Sequence, residues 1–157
     1  MRHEYGAELV WTGNQGEGTD TYAGYSREHR VRIAGKPELE LSADRLFRGD
    51  PSKHNPEDLL IAAIAGCHML AYLALCARQG VNVIAYEDRA AGIMVTDREG
   101  SGKFESVVLK PVVTIAPDSD EQLALALHHT AHQQCFIANS CSVPIGHEPT
   151  IRMKAVA

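Results

Sequence analysis

Residues 55–80 read NPEDLLIAAIAGCHMLAYLALCARQG, and the arrangement of the rest of the chain follows from this stretch. Asn55 is a good N-cap, Pro56 suits the first helical position, and Glu57 and Asp58 put negative charge at the positive end of the helix dipole. Gly80 supplies the stop. The pattern predicts one long helix from Pro56 to Gln79. From Leu59 to Ala77 it has no Asp, Glu, Lys or Arg, a run of nineteen residues that approaches the roughly 20 needed to cross a bilayer. The run is alanine-rich and contains Gly66, His68 and Tyr72, which makes it too polar for lipid. A helix apolar on all sides is then one buried in protein. A single small sheet cannot cover it all round, so a second subunit is expected.

The flanking segments read as strands. Tyr5–Trp11, Thr21–Ile33 and Leu39–Ser42 carry β-branched and aromatic residues, broken at Gly13-Asn14, Gly16–Gly18 and Gly35-Lys36-Pro37, which predicts an amino-terminal β-meander. Asp50–Pro56 is a polar loop. Beyond the helix, Val81–Thr96 and Phe104–Ile115 flank the turn chemistry of Asp97–Lys103, a β-hairpin. Pro117–Asp120 opens a second helix, Asp120–Phe136, with Leu123, Leu127 and Ala131 on one side, ending near Asn139-Ser140. Pro149–Val156 reads as a last strand. The order is α+β, a meander, a long buried central helix, a hairpin and a second helix, in a single domain over residues 1–157.

A chain of 157 residues, 45% hydrophobic and 22% charged, has the composition of one soluble domain. A formal charge of −5 with no Lys/Arg-rich window argues against a nucleic-acid partner. The first residues, MRHEYGAELVW, interleave charged and apolar positions and lack the apolar core of a secretory signal. A cytoplasmic location is the expectation. There, four cysteines do not form a disulfide scaffold and read as core residues, metal ligands or redox groups.

Each cysteine has its own setting. Cys67 lies mid-helix between Gly66 and His68, where a free cysteine is commonly a small apolar residue. Cys76, nine residues on, points to the other side of the helix and reads as core. Cys135 follows His128 and His132 at helical spacing, so the three share one face. That face permits two readings: a zinc or copper site completed by Cys67 or His68, or a solvated polar surface. It lacks the Cys-x-x-Cys and His-Glu-x-x-His patterns. Cys141 lies past the second helix and reads as structural, although it could approach Cys135.

The segment Asn55-Pro56-Glu57 through Ala65-Gly66-Cys67 resembles the signature of the OsmC/Ohr family, the osmotically inducible and organic hydroperoxide resistance proteins. An Asn-Pro-Glu turn leads into an alanine-rich helix, with a cysteine ten residues after the glutamate. A second cysteine near the end of the second helix completes the family pair, and Tyr25–Arg30 resembles the segment that carries the family's arginine. Phe136 and His68 depart from the usual proline and aromatic residue, which marks a divergent branch. The resemblance implies a cysteine peroxidase acting on organic hydroperoxides, without a cofactor or a bound metal. Cys67 would be the nucleophile, Cys135 the resolving thiol, Glu57 the acid that orients an arginine, and Arg27 that arginine, with Arg48 as its rival. It also implies an intertwined homodimer and a lipoyl or dihydrolipoamide reductant.

The chemistry accounts for these residue types. A thiolate is the nucleophile, burial disfavours it, and a permanently charged guanidinium restores it. A buried arginine in turn needs a carboxylate. On one continuous helix, however, Glu57 and Cys67 stand about 15 Å apart. Either the helix starts later, or Glu57 comes from a partner chain. Leu59, Leu60, Ile64, Met69 and Phe136 are available to line an apolar pocket suited to organic peroxides.

Overall fold

Asn55 and Asp58 close the start of the central helix reciprocally. The Asn55 side-chain oxygen accepts the Asp58 N–H at 2.8 Å, and the Asp58 carboxylate accepts the Asn55 N–H at 3.3 Å, a capping box. In the computed structural model, which describes residues 1–155, this helix, α1, runs unbroken over Pro56–Arg78. It ends where Gly80 takes φ 77° and the Val81 N–H reaches back to the Cys76 carbonyl at 3.0 Å. A positive φ is cheap only for a residue without a Cβ, which is why glycine stands there.

The chain divides into two compact units, Met1–Leu60 and Ile61–Ala157. In the first, β1 (Glu8–Trp11), β2 (His29–Arg32) and β3 (Leu39–Leu41) form an antiparallel sheet in that order. The expected meander is present, but its middle strand is much shorter than Thr21–Ile33. Backbone groups before His29 are used in a folded loop instead. The Asn14 side chain accepts the Gly16 and Gly18 N–H groups at 2.9 and 3.0 Å, and the Trp11 indole donates to the Ser26 carbonyl at 2.8 Å. Such side-chain bonds compete directly with a strand ladder.

In the second unit the expected hairpin is divided. β4 (Val83–Asp88) pairs with β7 (Pro111–Ile115), and β5 (Ala91–Thr96) pairs with β6 (Gly102–Leu109), in separate sheets. The break falls at Arg89-Ala90 on one side and Lys110 on the other. There the Asp88 side chain takes the Lys110 N–H at 2.8 Å, and Pro111 has no N–H to offer. After α2 (Glu121–Gln134) and a single turn, α3 (Phe136–Asn139), come β8 (Ile145–His147) and β9 (Thr150–Met153). β8 joins β6 and β9 joins β7, both in parallel. β8 has no counterpart in the sequence reading. β9 is the core of the expected Pro149–Val156 strand, whose last residue lies outside the described residues.

The core of this unit gathers Tyr72, Leu75 and Cys76 of α1, Val113 and Ile115 of β7, and Ala124, Leu127 and Ala131 of α2. Within one chain α1 is covered on one side only. Ile64, His68, Tyr72 and Leu75 form a single buried stripe at helical spacing, while Ala62, Ala63, Leu70, Ala74 and Ala77 are exposed. One partner helix with its sheet covers only about a third of a helix circumference.

Candidate active site: the seam between α1 and α2

Cys67 is half-buried in the middle of α1, and Cys135 is fully buried at the junction of α2 and α3. At Cys135 the backbone turns extended (φ −73°, ψ 109°), so the residue ends one helix and starts the next. Its sulfur accepts the Ala138 N–H at 3.5 Å. Cys67 comes close enough to act on the ionisation of the Cys135 thiol. Burial pushes the Cys135 thiol up to about 11; the Ala138 N–H opposes that rise, and the Cys67 sulfur adds to it. Cys135 therefore keeps its proton near neutral pH and can donate it toward Cys67.

Next to the thiols lies a layer of histidines. The Nε2 of His68 is 3.0 Å from Nδ1 of His128, both residues being fully buried. The Tyr72 ring stacks on His128 at 3.8 Å, and its hydroxyl donates to the Ala124 carbonyl at 3.0 Å. His147 of β8 approaches His68 at 5.8 Å and His132 at 5.5 Å between ring centroids. Burial, reinforced by the neighbouring imidazoles, lowers His68 to about 4 and His128 to about 3. Both are neutral at pH 7.

This layer overturns the solvated-face reading for His128. His128 and His132 stand one turn apart in α2, but Cys135 lies past its end in extended backbone, and His128 turns to His68 and Tyr72. Among the described residues no three of His, Cys, Asp and Glu converge closely enough to hold a metal ion, so the metal reading loses its geometry. Cys76, one turn beyond Tyr72 and on the side of α1 opposite Cys67, is buried in the core. Sequence reasoning missed His147 altogether. Its signal would have been the parallel pairing of β8, which no local pattern announces.

Arg27, Arg48 and Glu57 belong to the first unit. The Arg27 guanidinium lies over the rings of Tyr22 and Tyr25, at 4.4 and 4.0 Å, and donates to the carbonyls of both residues. Arg48 is exposed, in a left-handed backbone conformation (φ 64°) at the end of a short 3-10 helix, Arg45–Phe47. Glu57 is half-buried in the first turn of α1. No ion pair joins Glu57 to either arginine among the described residues. Because α1 is continuous from Pro56, a late helix start is excluded, and Glu57 stays three turns of helix away from Cys67.

By length and composition α1 could cross a membrane. Here His68 and Tyr72 make polar contacts to α2 instead.

A family model described as OsmC-like protein matches residues 49–148. An OsmC-like protein of unknown function from Vibrio cholerae is 31% identical, with a TM-score of 0.83 over 94% of this chain and 99% of that one. An organic hydroperoxide resistance protein from Elizabethkingia anophelis shares the fold at 19% identity and a TM-score of 0.69, over 98% and 99% of the two chains. A putative organic hydroperoxide resistance protein from Vibrio cholerae, with captopril in one of its active sites, does so at 22% and 0.66, over 96% and 94%. None of the curated proteins matches.

Proposed function

The chain belongs to the OsmC-like family, and from that premise we propose that it is a cytoplasmic dithiol peroxidase that reduces organic hydroperoxides in oxidative-stress defence. The observation that supports this reading is the proximity of a half-buried thiol on α1 to a buried thiol at the end of α2, close enough to act on its ionisation. In the first step the Cys67 thiolate attacks the outer peroxide oxygen. The oxygen–oxygen bond breaks, an alcohol leaves after taking up a proton, and Cys67 becomes a sulfenic acid. Cys135 then attacks the Cys67 sulfur. Its own proton and the departing hydroxide leave as water, and a disulfide remains. A dithiol of the lipoyl or dihydrolipoamide class returns both sulfurs to thiols.

Arg27 is the guanidinium we assign to thiolate stabilisation, in preference to Arg48. The partner subunit's Glu57 is the carboxylate we assign to orient it, since Glu57 of the same chain is held away by continuous helix. The reading thus requires a homodimer. The exposed face of α1, with Leu70 64% accessible, is a surface that a second subunit would cover. Size-exclusion chromatography with light scattering is expected to give a mass near twice 17.1 kDa; a monomer would remove the role of Glu57.

The direct test treats reduced protein with one equivalent of cumene hydroperoxide, maps disulfides by mass spectrometry, and follows peroxide loss with dihydrolipoamide present. A Cys67–Cys135 bridge with turnover is expected. Peroxide left unconsumed, with both thiols free, would overturn the proposal.

A further inference from the structure

The seam between α1 and α2 can be followed through three levels. Cys67 stands near enough to Cys135 to act on its thiol, His68 bonds His128, and the Tyr72 hydroxyl bonds the Ala124 carbonyl. The middle level is unusual for a core. Two imidazoles, both fully buried, share one hydrogen bond, while Nδ1 of His68 and Nε2 of His128 have no partner. In either arrangement of the shared proton, one outer nitrogen keeps an N–H without an acceptor and the other a lone pair without a donor. An apolar pair of similar volume would fill this level without that penalty.

What the polar pair provides is register. Sliding or rotating one helix against the other would break the shared bond and leave four buried ring nitrogens unmatched instead of two, a cost an apolar seam would not impose. The thiols stand at the adjoining level of the same seam, so the setting that closes the histidine bond also brings the sulfurs together.

The pair also responds to protons. The titratable groups acting on it are His132 of α2, His147 of β8 and, stacked on His128, Tyr72 of α1, with Tyr86 of β4 beyond Tyr72. Among the described residues no carboxylate acts on either ring. A first proton therefore creates a buried cation without a counter-charge, and a second sets N–H against N–H across the 3.0 Å contact. We propose that His68 and His128 are positioning residues of the dithiol: as a neutral, hydrogen-bonded pair they hold α1 and α2 in the setting that presents Cys135 to Cys67, and the uptake of two protons releases it.

The direction follows from linkage. Both groups bind protons less well in the closed seam than freely, so the stability they contribute is complete above their ordinary value of 6.5 and is lost as the pH falls toward about 4 for His68 and about 3 for His128. With two such sites, the ratio of open to closed seam rises about 100-fold between pH 7.5 and 5.5, and about 60-fold again by pH 4.5.

The inference rests on the dithiol reading but is tested without peroxide. In a Cys67→Ala variant, which removes the neighbouring sulfur, the N-ethylmaleimide labelling of Cys135 is measured by peptide mass spectrometry. Its rate is compared with that of the urea-unfolded chain at the same pH, which cancels the pH dependence of the reagent. Protection of Cys135 is expected to fall about 100-fold from pH 7.5 to 5.5, while buried Cys76 keeps its protection. His68→Leu or His128→Phe should reduce the fall to about 10-fold, the one-proton value. The double variant His68→Gln with His128→Gln, which keeps an amide hydrogen bond at this level but cannot titrate, should make it flat. Protection that does not change with pH, a two-proton dependence surviving either single variant, or an equal loss at Cys76 would each overturn the proposal. A failure of peroxide turnover would leave these rates as they are and bear only on the dithiol reading.

Discussion

Cys67→Ser lowers kcat/KM for an organic hydroperoxide by about 10³-fold or more and abolishes the intramolecular disulfide. A serine hydroxyl at this position has the shape of the thiol but neither its ionisation nor its nucleophilicity, and the neighbouring Cys135 is buried and keeps its proton. Cys135→Ser has a different outcome. Its first turnover proceeds, because the attacking sulfur is intact, but the Cys67 sulfenic acid then has no thiol to condense with. It should accumulate as a dimedone adduct and pass to the sulfinic acid with excess peroxide. Stopped-flow peroxide consumption and intact-mass measurement separate the two variants. Equal residual turnover in both would mean that the chemistry lies elsewhere.

Tyr72→Ala destabilises the protein by about 3–5 kcal/mol, the cost of removing a large ring from a closed core. Tyr72 is wholly buried and stacks on His128 at 3.8 Å, with Tyr86 at 6.0 Å, so its loss leaves a cavity between α1, α2 and β4. Tyr72→Phe should cost only about 1 kcal/mol. It keeps the ring, and the Ala124 carbonyl left behind retains the backbone N–H of the next helical turn. Urea unfolding at one fixed protein concentration measures both, the fixed concentration being needed because association with a second subunit would add to apparent stability. Comparable losses in the two variants would show that the hydroxyl, and not the packing, is what matters at this level.

The local signals in the sequence carried far. Asn55, Pro56, Asp58 and Gly80 set both ends of α1 through contacts within a few residues. The turn at Asp97–Ser101 set the hairpin, with the Asp97 side chain taking the Glu99 and Ser101 N–H groups at 2.9 Å. Capping and turn chemistry act between near neighbours and need no knowledge of the rest of the fold. The long strands misled for a related reason: their apolar runs continue through Arg89-Ala90 and Lys110, whereas the break depends on a side chain 22 residues away in sequence, Asp88 capping Lys110.

The sequence by itself determined the order of meander, central helix, paired strands and second helix, the ends of the central helix, and the placement of Cys67 within the first helix and Cys135 at the end of the second. Only the tertiary structure decided that Cys67 comes close enough to Cys135 to act on its thiol, that β8 and β9 add in parallel, that α1 buries one stripe within its own chain, and that His128 turns inward to His68. Those two histidines are 60 residues apart. A contact of that kind depends on how two amphipathic faces close over a shared core, and periodicity, which places a residue on a face of its own helix, does not select which residue of another helix will stand opposite.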